Sequence, residues 1–359
     1  MLEYASTSPP ARLPWLVDEA GAHVDYRKHR LFPSAKNHLT WRPCEAGGSR
    51  ALVVIGDSYA DDVDMGFETW PSQLARALPA TLVNTARGGS RTPAALEQLA
   101  RADRRLPTEQ FPVGERLLVV HTGGNDLLLA LLLPPLTLLL WLDVLALSGA
   151  SAGLWSPPAR PAHLSFIGLV SRRSARELRR LLRAAESRGY RLVLVSRLPL
   201  SPCIPLARAL VTLLTFGLAP TAHVTATLRS CFRLFGAALD EALAGFAAEA
   251  PAVRLLVLDE AALLDDLSAA EGADACGLLW VPRLVAQRMR KNAALWRSGG
   301  EQGAEAQGSG GAAAPHPSGC ASRALSFWHD AHHPSHATHA KIASHALSLI
   351  QTVWSSGKC

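Results

Sequence analysis

The chain has 359 residues, 48% of them hydrophobic and 18% charged, so it is long and apolar enough to bury a sizeable core. Its net charge of +6 raises the question of a nucleic-acid ligand, but no basic stripe interleaved with aromatic residues is present, so we expect no nucleic-acid partner. The six cysteines form no C-x-x-C pair, and their spacing fits neither a zinc site nor a compact disulfide framework.

The N-terminal part differs from the rest of the sequence. Residues 1–50 are rich in Pro, His and Arg, and we predict an irregular N-terminal extension there. The chain does not start with a basic segment followed by an apolar run, which is the pattern of a secretory signal. We therefore expect a cytoplasmic protein with reduced cysteines and leave membrane association open.

From residue 51 onward, short apolar runs alternate with segments of helical spacing. The predicted strands are 51–55, 81–83, 117–121, 191–195 and 254–258, and the main predicted helices are 70–78, 93–101, 171–187, 225–248 and 335–350. This alternation predicts an α/β fold in which a five-stranded parallel sheet is covered on both faces, a three-layer α/β/α sandwich. Ligands of such sheets bind beyond the carboxyl ends of the strands.

Three segments depart from this regular pattern. Residues 127–147 read LLLALLLPPLTLLLWLDVLAL, and two prolines and Asp143 interrupt the apolar run. We predict an apolar insertion over 127–155 that forms a buried helix pair or a lipid-facing flap, with peripheral membrane contact possible through 127–147. A second apolar stretch, 199–219, has the same ambiguity. Residues 298–323, rich in Gly, Ala, Ser and Glu, are predicted to form a flexible loop.

Three residues together suggest nucleophilic chemistry. Ser58 follows the first predicted strand, within Gly-Asp-Ser, and Asp330 precedes His333 near the C-terminus. A serine hydroxyl becomes a good nucleophile when a histidine, oriented by a carboxylate, removes its proton. We therefore predict a Ser58–His333–Asp330 triad, with His332 as the competing base. Ser58 alone would more often be a turn or helix-capping residue.

The predicted reaction also needs donors for an oxyanion. The candidates are the backbone N–H of Ser58 at a helix start, the N–H of Gly89 after the second strand, and the side-chain amide of Asn125 after the third. Several histidines crowd the C-terminal region, and His336 and His339 share a helix face. Because no further ligand pattern supports a metal site, we predict no metal.

Four blocks of the sequence resemble the motifs of the SGNH, or GDSL-type, hydrolases. They are VVIGDSYADD, NTARGGS, HTGGNDLL and FWHDAHHPSHATHAKIA, in the order found in that family. The resemblance implies an SGNH hydrolase domain over 51–354 with flavodoxin-like strand order and no cofactor. It assigns Ser58, His333 and Asp330 to the triad, and Ser58, Gly89 and Asn125 to the oxyanion hole. The wording is most similar to plant- and fungal-type esterases and lipases. One departure is His329, which stands between Trp328 and Asp330, where the family has Asp directly after Trp.

The activity implied by this resemblance is hydrolysis of carboxylic esters through an acyl-enzyme. The partner would be an ester substrate, either a lipid or an acylated small molecule or carbohydrate, and the oligomeric state stays open. Two alternatives remain, a sugar acetylesterase and a non-catalytic lipid- or membrane-binding protein that retains the fold. A row of arginines between residues 172 and 183 is read as a solvated helix face or as a patch for anionic lipid headgroups.

Overall fold

The computed structural model describes residues 12–17, 23–25, 39–44, 49–65, 67–151, 160–197, 204–214, 221–271 and 333–354. In these residues a single eight-stranded sheet runs in the order β2-β1-β3-β5-β4-β6-β7-β8. The strands are β1 (Arg12–Val17), β2 (His23–Asp25), β3 (Leu39–Arg42), β4 (Ala51–Gly56), β5 (Thr81–Asn84), β6 (Arg116–His121), β7 (Leu192–Arg197) and β8 (Arg254–Asp259).

The parallel part of the sheet is the part that was predicted. Five strands pair in parallel, in the spatial order β5-β4-β6-β7-β8. If these five strands are numbered 1 to 5 along the chain, their order in the sheet is 2-1-3-4-5. This is the flavodoxin-like order. Every residue of β4 and β6 is buried, as expected for parallel strands that helices cover on both faces.

The sheet is larger than the sequence indicated. Residues 1–50 were predicted to be irregular, but β1, β2 and β3 lie within them and extend the sheet in antiparallel fashion beyond β5. The prediction failed because residues 1–50 are rich in Pro, His and Arg, and an antiparallel strand with one face towards solvent can carry such residues. Strand β3, for example, reads LTWR. The sheet therefore begins well before the predicted domain boundary at residue 51.

The helices pack against the sheet in two groups. In chain order they are α1 (Asp62–Met65), α2 (Trp70–Ala77), α3 (Ala95–Asp103), α4 (Gly124–Leu132), α5 (Pro134–Ser151), α6 (Ala162–Ser187), α7 (Pro205–Leu214), α8 (Thr221–Glu249), α9 (Glu260–Glu271) and α10 (His336–Trp354). Helix α2 packs against α10, whereas α6 packs against α3, α4, α5 and α8. The two groups form the outer layers of the predicted α/β/α sandwich.

The leucine-rich insertion forms a helix pair. Helices α4 and α5 meet at a bend of 68°. No single described helix is long and apolar enough to cross a membrane. The bent pair Gly124–Leu132 and Pro134–Asp143 has the length and composition of a membrane span when its two helices are taken together. Leu136 and Leu140 are buried, so the pair belongs partly to the core. The predicted loop 298–323 lies outside the described residues, as does the end of the insertion beyond Ser151.

The arginine row lies on α6. Arg179 and Arg183 form ion pairs with Glu249 of α8, and Arg180 pairs with Glu177 one turn away. Two arginines of the row, Arg179 and Arg183, therefore bind the neighbouring helix α8. Arg172, Arg173 and Arg176, nearer the start of α6, are exposed.

Candidate active site

Ser58 lies in a tight turn that follows β4. The N–H of Ala60 donates to the carbonyl of Asp57 at 3.1 Å, and the Asp57 carboxylate accepts the N–H of Tyr59 at 3.2 Å. An Asp that bonds the backbone two residues later stabilises such a turn. The next helix, α1, begins at Asp62, so Ser58 lies in the turn itself and the predicted helix start is wrong.

The end of β4 is fixed by close packing and by Gln98. A Cβ atom on Gly56 would lie 2.3 Å from the carbonyl oxygen of His121, so only glycine allows β4 and β6 to approach this closely. Gln98 accepts the N–H of Gly56 at 2.6 Å and donates to its carbonyl at 2.9 Å. These contacts set the position from which the Ser58 turn starts.

His333 is the histidine that meets Ser58. Its Nε2 atom lies 2.7 Å from the Ser58 Oγ atom, across 275 residues of chain. His333 is buried and stands just before α10, where the Ser335 hydroxyl accepts the N–H of Thr338 at 3.3 Å and caps the helix. Asp330 lies outside the described residues, and so do His329 and His332.

Asn125 reaches the same site from the first turn of α4. Its side-chain N–H₂ donates to the carbonyl of Ser90 at 2.9 Å, and the residue lines one pocket with Ser58. Two hydrogen bonds from Thr92, both 2.8 Å long, hold the neighbouring Asp126 carboxylate. Burial raises the pKa of Asp126, while the bonds from Thr92 act in the opposite direction. The turn that carries Asn125 is therefore anchored.

Gly89 lies in a turn beside this pocket. Its φ of +74° suits glycine, and the N–H of Ser90 closes the turn onto the carbonyl of Arg87 at 3.1 Å. The turn is tied to the nucleophile segment because Gly88 donates to Asp61 at 2.8 Å. Neither Gly89 nor His333 is among the residues that line the pocket, but His333 contacts Ser58 directly, and the Gly89 turn is tied to the Ser58 segment through Gly88 and Asp61.

The pocket has a polar end and an apolar wall. It is partly open to solvent, and its polar lining residues include Ser58 and Asn125. The wall is formed by side chains of α4, α7 and α8 and by the residue before α7, namely Leu127, Leu128, Leu131, Ile204, Leu206, Ala207 and Phe232. A group bound at Ser58 would therefore extend along hydrocarbon side chains.

Sequence reasoning missed a buried histidine beneath the nucleophile turn. His121, the last residue of β6, lies 3.0 Å from Asp57 through Nδ1 and 3.0 Å from Glu260 through Nε2. Glu260 also accepts the hydroxyl of Ser196 at 2.5 Å. The signal was available, because Asp57, His121 and Glu260 each stand at the carboxyl end of a predicted parallel strand, where side chains converge.

The histidines of α10 have structural partners. His339 Nδ1 accepts the N–H of Trp70 at 3.2 Å, which satisfies a donor in the first turn of α2. The ring of Phe67 lies 5.6 Å from the rings of both His336 and His339. Within the described ranges, no group of three or more His, Cys, Asp or Glu side chains could hold a metal ion.

The comparison with known proteins agrees with this geometry. A family model described as "GDSL-like Lipase/Acylhydrolase family" matches residues 54–341, which includes the Ser58, Gly89, Asn125 and His333 segments. No curated protein sequence matches the chain. The resemblance to plant- and fungal-type members stays a prediction. Because the matched span covers well over half of the sequence, the chain belongs to the GDSL-like lipase/acylhydrolase family.

Proposed function

We propose that the protein hydrolyses carboxylic esters through an acyl-enzyme on Ser58. Family membership supports an ester hydrolase in general terms. The observation that carries the proposal is the 2.7 Å separation between Ser58 Oγ and His333 Nε2. A hydroxyl within hydrogen-bond reach of an imidazole nitrogen can pass its proton to that nitrogen as it attacks.

The proposed reaction has two halves. In the first, Ser58 Oγ attacks the ester carbonyl, His333 Nε2 takes the serine proton, and the leaving alcohol then receives this proton as its C–O bond breaks. In the second, His333 removes a proton from water, the hydroxide attacks the acyl group, and Ser58 Oγ recovers the proton. Asp330, assigned by motif resemblance, would orient His333 through Nδ1.

The oxyanion formed in each half needs preorganised donors. We assign this role to the N–H of Ser58, the N–H of Gly89 and the side-chain amide of Asn125. The Asn125 N–H₂ group has two hydrogens, and one of them is used by the Ser90 carbonyl at 2.9 Å. The other can serve the substrate oxygen, while the bond to Ser90 keeps the amide in place.

The wall of the pocket favours an apolar acyl group over the acetyl group of an acylated sugar. Leu127, Leu128 and Leu131 of α4 line the same pocket as Ser58, together with Phe232 of α8. Burial of each methylene against such a wall contributes about 0.8 kcal/mol. An acetyl ester would use little of this surface, so the proposed substrates are esters of longer acyl chains.

A series of p-nitrophenyl esters from acetate to decanoate tests both parts of the proposal. We expect kcat/KM to rise with acyl length and Ser58→Ala to lose activity. Leu128→Ser, at the pocket wall, should reduce the preference for long chains, whereas Leu138→Ser on the exposed side of the same helix pair should leave it unchanged. A preference for acetate in the unmodified enzyme would favour the sugar acetylesterase.

We also propose that the helix pair contacts lipid surfaces. Among the described side chains, the exposed leucines of α4, α5, the residue between them and the first part of α6 are Leu129, Leu132, Leu133, Leu138, Leu142 and Leu169. The exposed Arg172, Arg173 and Arg176 follow Leu169 along α6. Apolar side chains beside cations suit the surface of an anionic bilayer.

Sedimentation with phosphatidylglycerol vesicles tests this contact, with phosphatidylcholine vesicles as the comparison. We expect binding to the anionic vesicles, and loss of binding in the double variant Leu138→Ser/Leu142→Ser. Equal sedimentation of the two proteins would refute the lipid surface. Binding to vesicles without any Ser58-dependent hydrolysis would favour the non-catalytic lipid-binding alternative.

A further inference from the structure

A buried row of ionisable side chains adjoins the turn that carries Ser58, and two of its members, Asp57 and His121, line the same pocket as Ser58. Asp57, His121 and Glu260 are 2%, 0% and 0% exposed. Both ring nitrogens of His121 face a carboxylate oxygen at 3.0 Å, one from Asp57 and one from Glu260. The proposed ester hydrolysis assigns no step to His121, so the row needs an explanation of its own.

The hydrogen-bond geometry limits the protonation states that this row can adopt. A carboxylate can only accept hydrogen bonds, and a neutral imidazole has a single N–H. With both carboxylates ionised, the two contacts of His121 therefore need both ring nitrogens protonated. Burial alone would lower the pKa of His121, but the charges of Asp57 and Glu260 outweigh it and raise the pKa to about 10. His121 is then an imidazolium at neutral pH.

The imidazolium connects the carboxyl ends of four parallel strands. His121 ends β6, Asp57 directly follows β4, Glu260 directly follows β8, and Ser196 of β7 donates to Glu260 at 2.5 Å. The backbone adds a further link, because the N–H of Asp57 donates to the carbonyl of His121 at 3.0 Å. The start of the nucleophile turn is thus held from beneath by charge-assisted hydrogen bonds, which are stronger than neutral ones.

Tyr59 carries this support to the base. Its ring stacks on His121 with centroids 5.3 Å apart and planes 11° apart, and it also contacts the ring of His333 at 5.4 Å. A cation over an aromatic face is favourable, more so when buried. The N–H of Tyr59 bonds the same Asp57 oxygen that faces His121, so ring and backbone are held together.

We propose that His121 is a positioning residue for ester hydrolysis, which fixes the Ser58 turn through Asp57 and supports His333 through the ring of Tyr59. The inference rests on the proposed function. The Ser58–His333 contact stays at hydrogen-bond distance only while the row Asp57–His121–Glu260 is intact. A misplacement of about 1 Å in such a contact can lower the rate by about 100-fold.

Nitrogen NMR of the full chain labelled with ¹⁵N-histidine tests the protonation state without relying on activity. The signal lost in His121→Gln identifies the ring. We expect both of its nitrogens to be protonated from pH 6 to 9, and Glu260→Gln to lower the titration midpoint by about one pH unit or more. A His121 ring that titrates near the ordinary histidine value of about 6.5 would overturn the proposal.

Kinetics on a soluble p-nitrophenyl ester test the positioning role. His121→Gln should lower kcat by about 10- to 100-fold with little change in KM. The matched control is His163→Gln, because His163 is also buried and bonds a carboxylate, Asp143, at 2.6 Å, yet does not line the pocket. Its kcat should stay within about threefold of the unmodified enzyme, as expected for a site outside the active centre. Equal losses in the two variants would overturn the proposal.

Glu260→Gln is a second test variant, because it removes the charge of the side chain and hardly changes its shape. It also tests the proposal if His121→Gln fails to fold. We expect the kcat/KM of Glu260→Gln to decline at alkaline pH. The midpoint of this decline should equal the midpoint at which NMR shows that His121 loses its proton. A profile that matches the unmodified enzyme while His121 titrates would overturn the positioning role. If the unmodified enzyme hydrolyses no ester, the proposed function fails, whereas the NMR result still reports on His121.

Discussion

Replacement of Gly56 by alanine tests the close approach of β4 and β6, on which the site depends. The added Cβ would lie 2.3 Å from the carbonyl oxygen of His121. A carbon–oxygen contact normally needs about 3.3 Å, so the two paired strands would have to separate by about 1 Å at this point. Overpacking of this kind costs about 1–3 kcal/mol. The weakened bond from the Asp57 N–H to His121, 3.0 Å long, adds about 1 kcal/mol.

We therefore expect Gly56→Ala to lower the free energy of unfolding by about 2–4 kcal/mol in urea denaturation, with a parallel loss of esterase activity. Gly114→Ala is the control, because no heavy atom lies within 4 Å of its added Cβ. That variant should stay within about 0.5 kcal/mol of the unmodified protein. Equal unfolding midpoints for the two variants would show that β4 and β6 do not approach as described.

Other predictions concern single side chains. Asn125→Ala should lower kcat for p-nitrophenyl esters by about 100- to 1,000-fold at nearly unchanged KM, and a loss under about threefold would remove Asn125 from the oxyanion hole. Burial raises the pKa of Asp62 from 3.8 to about 7. The protonated Asp62 carboxyl therefore contributes to the free energy of unfolding fully below about pH 4, and this contribution is lost as pH rises through about 7. In urea denaturation, the stability of Asp62→Asn relative to the unmodified protein should thus rise by about 2–3 kcal/mol from pH 5 to pH 8, and a pH-independent difference would contradict the raised pKa. Burial also raises the pKa of the Cys231 thiol to about 12, so Cys231 should react with a thiol reagent at pH 8 only after unfolding. Peptide mass mapping locates the labelled cysteine, and rapid labelling of Cys231 in the native protein would contradict its burial.

The parallel strands could be predicted because burial on both faces leaves a continuous apolar run in the sequence. Strands β4 and β6 are such runs, and the structure places them within one residue of the expected bounds. Strands β1 to β3 could not be found in this way, because an antiparallel strand near a sheet edge is defined by its hydrogen-bond partner. β3 pairs with β5 through LTWR, whose alternation of apolar and polar residues covers only four positions and is too short to indicate a strand by itself.

The site was predictable where residue type restricts the chemistry. Ser58 and His333 suggested one another as nucleophile and base, and the structure places them 2.7 Å apart. Gly89 was grouped with Asn125 by motif, yet a glycine's motif position does not say which neighbouring N–H faces the pocket. His121 was missed because it reads as the last residue of an apolar strand, although Asp57, His121 and Glu260 all stand at the carboxyl ends of predicted parallel strands.

Reaction with a fluorophosphonate probe, followed by peptide mass mapping, tests the central claim most directly. We predict one adduct per chain, on Ser58, because the short contact with His333 Nε2 makes this hydroxyl nucleophilic. Ser58→Ala should form no adduct, and the labelling rate of His333→Ala should be lower by a factor of about 1,000 or more. An unlabelled Ser58 in the folded protein, or labelling that is equally fast in His333→Ala, would contradict the proposal that Ser58 and His333 act as nucleophile and base.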